Sequence, residues 1–208
     1  MDYSKIIDIS ISLDSNTTIY PANPRVVIEE FSNETGTSTY SKISMGTHTA
    51  THIDAPKHIY KDGKSLDEIL LENFVGSCRV LDFSFEKESV TLESLKSKDI
   101  KDGDRILLKT NNSMRGYEEF YNDYIYLSGD GAEYLAEKDI KLIGIDYLSI
   151  KQRGSQDHRP HTAFLEKNIP ILEGIQLKNV EEGEYFLVVL APKFIGVDGS
   201  PARAILLE

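Results

Sequence analysis

The sequence predicts a mixed α/β domain built on one sheet that is partly parallel. Three observations carry this. Short apolar, β-branched runs cluster early and late in the chain. A few helix-forming stretches fall between them. Residues 124–145 read strand, helix, strand, the order of a parallel crossover unit. The 208 residues suit a single domain spanning 1–208, with length enough for a substantial core. No internal repeat, low-complexity segment or linker interrupts it.

Taken in order, residues 6–13 (IIDISISL) alternate apolar and polar side chains and predict a strand. Residues 20–24 (YPANP) carry two prolines, which lack a donor N–H, and predict a rigid loop. Residues 25–31 form a second strand, and the polar NETGTST at 33–39 is a hairpin tip leading into 40–44. Residues 61–64 (KDGK) are a turn. Ser65 and Glu68 have capping-box spacing, so a short helix runs to about Asn73. Residues 75–83 are a buried strand, 91–98 a helix and 105–110 a strand. Residues 111–122 are a loop or irregular helix. Residues 124–127, 131–138 and 141–145 complete the crossover. Two last strands, 185–190 and 203–207, flank a loop containing GVDGSP at 196–201.

Composition narrows the function. Hydrophobic residues make up 40% and charged residues 27%, an ordinary globular balance. The net charge of -11 repels phosphate backbones, and no basic run is visible, so nucleic acid is not an expected partner. The longest apolar run, residues 185–192, is too short to span a bilayer. The start, MDYSKIIDIS, lacks the features of a signal peptide. The single cysteine, Cys78, lies in an apolar run and reads as an inert buried thiol. One cysteine makes no internal disulfide, which suits a reducing compartment. These readings predict a soluble cytoplasmic protein with a small-molecule substrate and no membrane partner.

The chemistry concentrates in GTHTATHIDAPKH at 46–58, which holds three of the five histidines. His48, His52, Asp54 and His58 share parity, so an extended chain would point them one way. Imidazole and carboxylate are common ligands of Zn, Mn and Fe. Thr47, Thr49, Thr51 and Ile53 are β-branched, and Pro56 disfavours helix at Ala55, so the stretch reads as extended. A straight strand would separate the His48 and His52 α-carbons by roughly 13 Å, at about 3.3 Å per residue. If both histidines serve one ion, the chain must bend or bulge near residues 49–51.

The other two histidines, His158 and His161, lie in QDHRPH at 156–161, and Glu173 follows in PILEG at 170–174. Asp54 and Glu173 are positioned in this reading to bridge two ions. Two close ions can hold a hydroxide and polarise a carbonyl together. His58, set beyond Pro56, is then free to move a proton near neutral pH.

The stretch His48-Thr-Ala-Thr-His52-Ile-Asp54-Ala-Pro56-Lys-His58 resembles the HxGTHxDxPxH signature of the cyclase family, which includes kynurenine formamidase and isatin hydrolase. Asp8-Ile-Ser10 with Tyr20-Pro21, the segment 144–149 followed by His161 and Glu173, and Asp198 to Arg203 resemble other family segments in the same order. The resemblance implies a mixed-sheet swivelling β/β/α sandwich. It implies a first metal on His48, His52 and Asp54, and a second on Asp54, His161 and Glu173. One or two divalent ions per subunit follow, zinc first and manganese as an alternative. His58 would be the general acid/base and Tyr20 a substrate contact. The implied activity is hydrolysis of an aryl formamide or cyclic amide by a homodimer or homotetramer. A lactone hydrolase, dehydratase or cyclase on the same site is the alternative, and a non-catalytic metal or ligand binder a third. Asp198, Ser200 and Arg203 read as structural, and His158 as a bystander or pocket residue. Two departures stand out. Ala50 replaces a glycine of the signature, which costs strain if φ there is positive. Tyr20 stands where kynurenine formamidases place an aromatic, typically Trp, and the chain has no tryptophan.

Overall fold

The computed structural model describes residues 3–208. Its strands are β1 (Ile6–Asp8), β2 (Val27–Ser32), β3 (Thr39–Ser44), β4 (His52–Asp54), β5 (Val75–Asp82), β6 (Ser89–Val90), β7 (Arg105–Lys109), β8 (Tyr126–Leu127), β9 (Leu142–Ile145), β10 (Ile171–Glu173), β11 (Gly183–Leu190), β12 (Gly199–Pro201) and β13 (Arg203–Leu207). Its helices are α1 (Leu92–Lys96), α2 (Asn112–Arg115), α3 (Gly129–Glu137) and α4 (Arg159–Leu165). Nine strands form one mixed sheet in the order β1-β13-β11-β5-β7-β9-β10-β4-β12. The run β5-β7-β9-β10 is parallel and the flanks are antiparallel.

Period-two alternation splits the core between the two faces of this sheet. Ile106, Leu108, Ile143, Ile145 and Ile171 face one way, where Leu135 and Ala136 of α3 and Phe164 of α4 pack on them. Leu107, Leu142 and Leu172 face the other way and meet Ile9, Ile53, Leu187 and Leu206 of the flanking segments. The second core is thus closed by the flanking strands together with Leu66 and Ile69 after β4 and Leu177 and Val180 after β10. Cys78 lies buried in it, as predicted, and burial pushes its thiol up to about 12.

Several predicted elements change in detail. The strand at 6–13 shortens to β1, and Ser10 makes only an isolated bridge to Ile175. The predicted helix at 65–73 becomes two single 3-10 turns, Leu66–Glu68 and Leu71–Asn73. Glu68 does accept the Ser65 N–H at 2.9 Å, as the capping box requires. Ile69 then turns extended (φ -81°, ψ 136°) to bury its side chain in the second core, and that ends the helix. The strand at 124–127 pairs in parallel with β6 in a separate two-stranded sheet. The parallel partner of β9 is therefore β7, and the crossover spans the longer segment from β7 through α3. The α3 cap is Ser128, whose hydroxyl accepts the Gly131 N–H, and the helix starts at Gly129, two residues earlier than predicted.

The end of β9 is pinned from within. The buried Asp146 carboxylate accepts from Thr110 N at 2.9 Å, Thr110 Oγ1 at 2.7 Å and Ser113 N at 3.2 Å. This ties the chain after β7, and with it α2, to the sheet. Burial pushes the Asp146 carboxyl up to about 6, only partly offset by those donors. By contrast, β2 and β3 form a hairpin exposed along its whole length.

Candidate metal centre

The site is organised by β4, which is paired on both sides. In its register with β10, His52 sits opposite Glu173 and Asp54 opposite Ile171. On its other edge Gly199 sits opposite Asp54. His52 and Asp54 share one face, while Ile53 between them points into the second core. Glu173 reaches His52 across the ladder, with Oε2 3.4 Å from His52 Nε2. His161 arrives from α4 and places Nε2 3.5 Å from Glu173 Oε1 and 3.7 Å from Asp54 Oδ2. All four of these side chains are buried.

His48 reaches the same place through the bend the sequence demanded. Residues 47–51 form no strand, and Ala50 takes φ +53°. The reversal brings the His48 and His52 rings to 5.2 Å, centroid to centroid. His48 Nδ1 lies 2.6 Å from Asp54 Oδ1 and Nε2 lies 2.8 Å from Asp198 Oδ2, each within hydrogen-bond distance. The bend is held tightly. Thr51 Oγ1 donates to the Gly174 carbonyl at 2.5 Å, and a Cβ on Gly174 (φ +69°) would lie 2.1 Å from the Ala50 carbonyl oxygen. Only glycine allows that approach.

The electrostatics favour a bound cation. Burial alone would raise Asp54, but the His48 and His58 imidazoles beside it hold it well below the usual carboxylate range. Burial opposes charge on His52, yet bonding and attraction to Asp54 and Glu173 raise it to about 10. His48 is raised against the same burial cost by Asp54. Burial and the repulsion of Asp54 push Glu173 up, and His161 and His52 bring it back below its ordinary value. Burial, against the pull of Asp54, leaves His58 lowered.

The donor chemistry fits a divalent metal. His52 Nδ1 donates to the Ala50 carbonyl at 2.9 Å, which leaves Nε2 as the ring's metal-binding atom, facing Asp54 and Glu173 at 3.4 Å each. These separations, and those of His161, exceed the about 2.8 Å of a charge-assisted hydrogen bond, so the atoms surround a point more than they bond one another. Two groups of donors lie within 4.8 Å of one another: His52, Asp54 and Glu173, and His48, Asp54 and His58. Asp54 belongs to both. Two supports orient the set: Ile150 N–H donates to Glu173 Oε1 at 2.7 Å, and the Asp198 carboxylate holds His48.

The structure brings together all five predicted ligands, with His58 beside them. The His58 ring lies 4.1 Å from His48 and 5.7 Å from His161, so it is not set apart from the ligands by geometry. Its Nδ1 is 3.9 Å from Asp198 Oδ2, beyond hydrogen-bond reach. Tyr20 and His158 line the same cavity of about 300 Å³, with Asn23, Leu148 and Lys151. The sequence reading missed Asp198 as a partner of His48, because it treated the 196–201 turn only as a shape. It also missed Asn23, whose amide donates to the His48 carbonyl at 3.0 Å. Arg203 is structural, as expected, paired with Asp8.

Imidazoles and carboxylates converging on one cavity under a curled mixed sheet are the parts of a metal-dependent hydrolase. Residues 7–152 match the family described as Putative cyclase, and the chain belongs to that family. It is 32% identical to a kynurenine formamidase of Salinibacter ruber over 98% of this chain and 97% of that one. It is 34% identical to a kynurenine formamidase of Bacillus cereus over 99% of both. Among solved structures, a potential metal-dependent hydrolase with cyclase activity matches at TM-score 0.88 and 34% identity, covering 98% of this chain and 97% of that one. Isatin hydrolase A of Labrenzia aggregata shares the fold, at TM-score 0.88 and 23% identity over 98% of this chain and 93% of that one.

The bend makes a stability prediction. Replacing Ala50 by Gly relieves about 1–2 kcal/mol of left-handed strain but loses a buried methyl and adds chain entropy, together about 1–2 kcal/mol. Ala50→Gly therefore stays within about 1 kcal/mol of the parent in chemical denaturation. Ala50→Val puts a β-branched side chain at positive φ with no space around it, and loses more than about 2 kcal/mol. A Val variant as stable as the parent contradicts the bend.

Proposed function

We propose that the protein is a metal-dependent hydrolase of an amide bond in an aryl formamide or cyclic amide. The observation that carries this is Asp54, a buried carboxylate shared by two donor groups at the floor of a cavity large enough for an aromatic amide. Full-length kinship with two kynurenine formamidases supports the formamide side of the reading.

His48, His52, Asp54, His161 and Glu173 would hold one or two ions. Zinc suits imidazole and carboxylate donors best, with manganese as the second choice. When bound, such an ion polarises the substrate carbonyl and makes water acidic enough to attack it at neutral pH. The chain supplies the rest. Glu173 and Asp54 would neutralise such a cation, and Ile150 N–H and Asp198 aim Glu173 and His48. Tyr20 offers an aromatic face to the ring; an edge-to-face contact with Phe120 at 5.2 Å steadies it. The His58 imidazole makes no hydrogen bond among the described residues, so its ring nitrogens stay available to take a proton from water and return it to the leaving amine.

No described helix is long and apolar enough to cross a membrane. We place the protein in the cytoplasm on its single buried cysteine. We also read the β2–β3 hairpin as the surface through which two or four copies associate. Ile28 and Ile43 line one face and Val27, Phe31 and Tyr40 the other, all exposed. An isolated two-stranded hairpin is marginal in water, so apolar residues on both faces call for cover. Its 12 strand residues are a large share of the about 20–30 per side of a standard interface. Light scattering of an Ile28→Glu/Ile43→Glu variant should show monomer where the parent shows dimer or tetramer. A monomeric parent contradicts the reading.

His58→Ala should keep the metal content of the parent and lose at least about 100-fold in kcat on formanilide or a related aryl formamide. Unchanged turnover would remove the proton-transfer role. Loss of metal in the same variant would make His58 a ligand instead.

A further inference from the structure

Tyr20 lines the cavity, yet it belongs to residues 11–26, which form no helix or strand. Contacts alone place its ring. The first is its own turn: Asn23 N–H donates to the Tyr20 carbonyl at 3.0 Å, with Pro21 second and Ala22 third at φ +79°. The Asn23 amide fastens this turn to the His48 carbonyl. Those bonds fix the backbone and leave the side-chain torsions unset. The second contact is a neighbouring loop, residues 116–125. Thr18 Oγ1 donates to the Tyr117 carbonyl at 2.6 Å, and Phe120 meets the Tyr20 ring edge to face, at 80°. Phe120 is not part of the cavity wall; it stands behind Tyr20.

Phe120 is itself fixed from several sides. Its ring packs on Tyr147 at 5.8 Å and Tyr124 at 6.0 Å, and the Arg153 guanidinium lies over it at 5.6 Å. Tyr147 is 1% exposed and directly follows Asp146 at the end of β9. Its hydroxyl holds the backbone next to Phe120 twice, accepting the Tyr121 N–H at 2.6 Å and donating to the Tyr121 carbonyl at 3.1 Å. A chain of contacts thus runs from the sheet through Tyr147 and Phe120 to the Tyr20 ring at the cavity.

We propose that Phe120, held in place by Tyr147, is a positioning residue that gives the cavity its preference for aromatic over saturated rings, acting through Tyr20. This rests on the hydrolase reading for the reaction and on the two loops alone for the preference. An edge-to-face pair is directional, so Phe120 restricts the Tyr20 ring to one tilt. A ring already held at one tilt stacks on a flat substrate ring with little loss of rotamer freedom on binding. A puckered saturated ring gains nothing from it.

The test uses two neutral amides with the same polar group, benzamide and cyclohexanecarboxamide, titrated against the metal-loaded protein by ligand-detected NMR. The parent should bind benzamide more tightly. Phe120→Leu should lower the ratio of the two affinities about threefold, the scale of one aromatic pair, and Phe120→Tyr should keep it. In a Tyr20→Leu background, Phe120→Leu should change the ratio no further. A merely structural role would instead weaken both ligands alike. Tyr147→Phe, which deletes only the hydroxyl clamp on Tyr121, should lower the ratio by a smaller factor and covers the case in which Phe120→Leu does not fold. A parent without preference for benzamide, a ratio unchanged in the folded variants, or a fall that persists without Tyr20 overturns the proposal. Formanilide turnover by the parent separates the two readings. No turnover with a falling ratio faults the hydrolase and keeps the role of Phe120.

Discussion

The register between β4 and β10 is the constraint on which the site depends. It sets His52 opposite Glu173 and, by the two-residue repeat of a strand, puts Asp54 on the same face. A slip of β4 by one residue would exchange its face, bring Ile53 to the site and send His52 and Asp54 into the second core. That exchange is prohibitive, because the core buries Ile53 nearly completely. The apolar alternation of the sheet therefore fixes the polar geometry of the site. Pairing of β4 with β12 on its other edge adds Gly199, where a Cβ would come within 2.8 Å of the His48 ring.

Two buried carboxylates beside three buried or half-buried imidazoles form an expensive arrangement without a cation. Asp54 is 1% exposed and Glu173 3%. Charges so placed need partners, and protons on His48 and His52 or a metal ion can both supply them. The raised affinity of His52 for a proton and the readiness of the site for a divalent ion have the same cause, the field of Asp54 and Glu173. Metal binding here would release protons and couple to folding, since the donors come from β4, α4 and β10 and meet only in the folded chain.

Much of this was legible in the sequence, for identifiable reasons. Histidines and acids of one parity, flanked by β-branched residues, forced the choice between separate sites and a bend, and Ala50 at φ +53° is that bend. Strong apolar runs such as residues 75–83 and 105–110 gave strands with nearly correct ends, because the sheet buries β7 throughout and Cys78, Val80 and Leu81 of β5. Local signals failed where tertiary packing competed. Ile69 broke a well-capped helix to reach the core, and residues 126–127 left the main sheet to pair with residues 89–90. Asp198 was not legible as a site residue. It lies 150 positions from His48, and only the pairing of β12 with β4 brings it near.

We propose Asp54 as the shared anchor of a metal centre. Elemental analysis of untagged parent and Asp54→Asn protein, each dialysed after exposure to zinc and manganese, tests it most directly. Asparagine keeps the shape and one acceptor oxygen but removes the charge that both donor groups share. Bound divalent metal is expected in the parent and none in a folded Asp54→Asn variant. Full metal occupancy in that variant would contradict it.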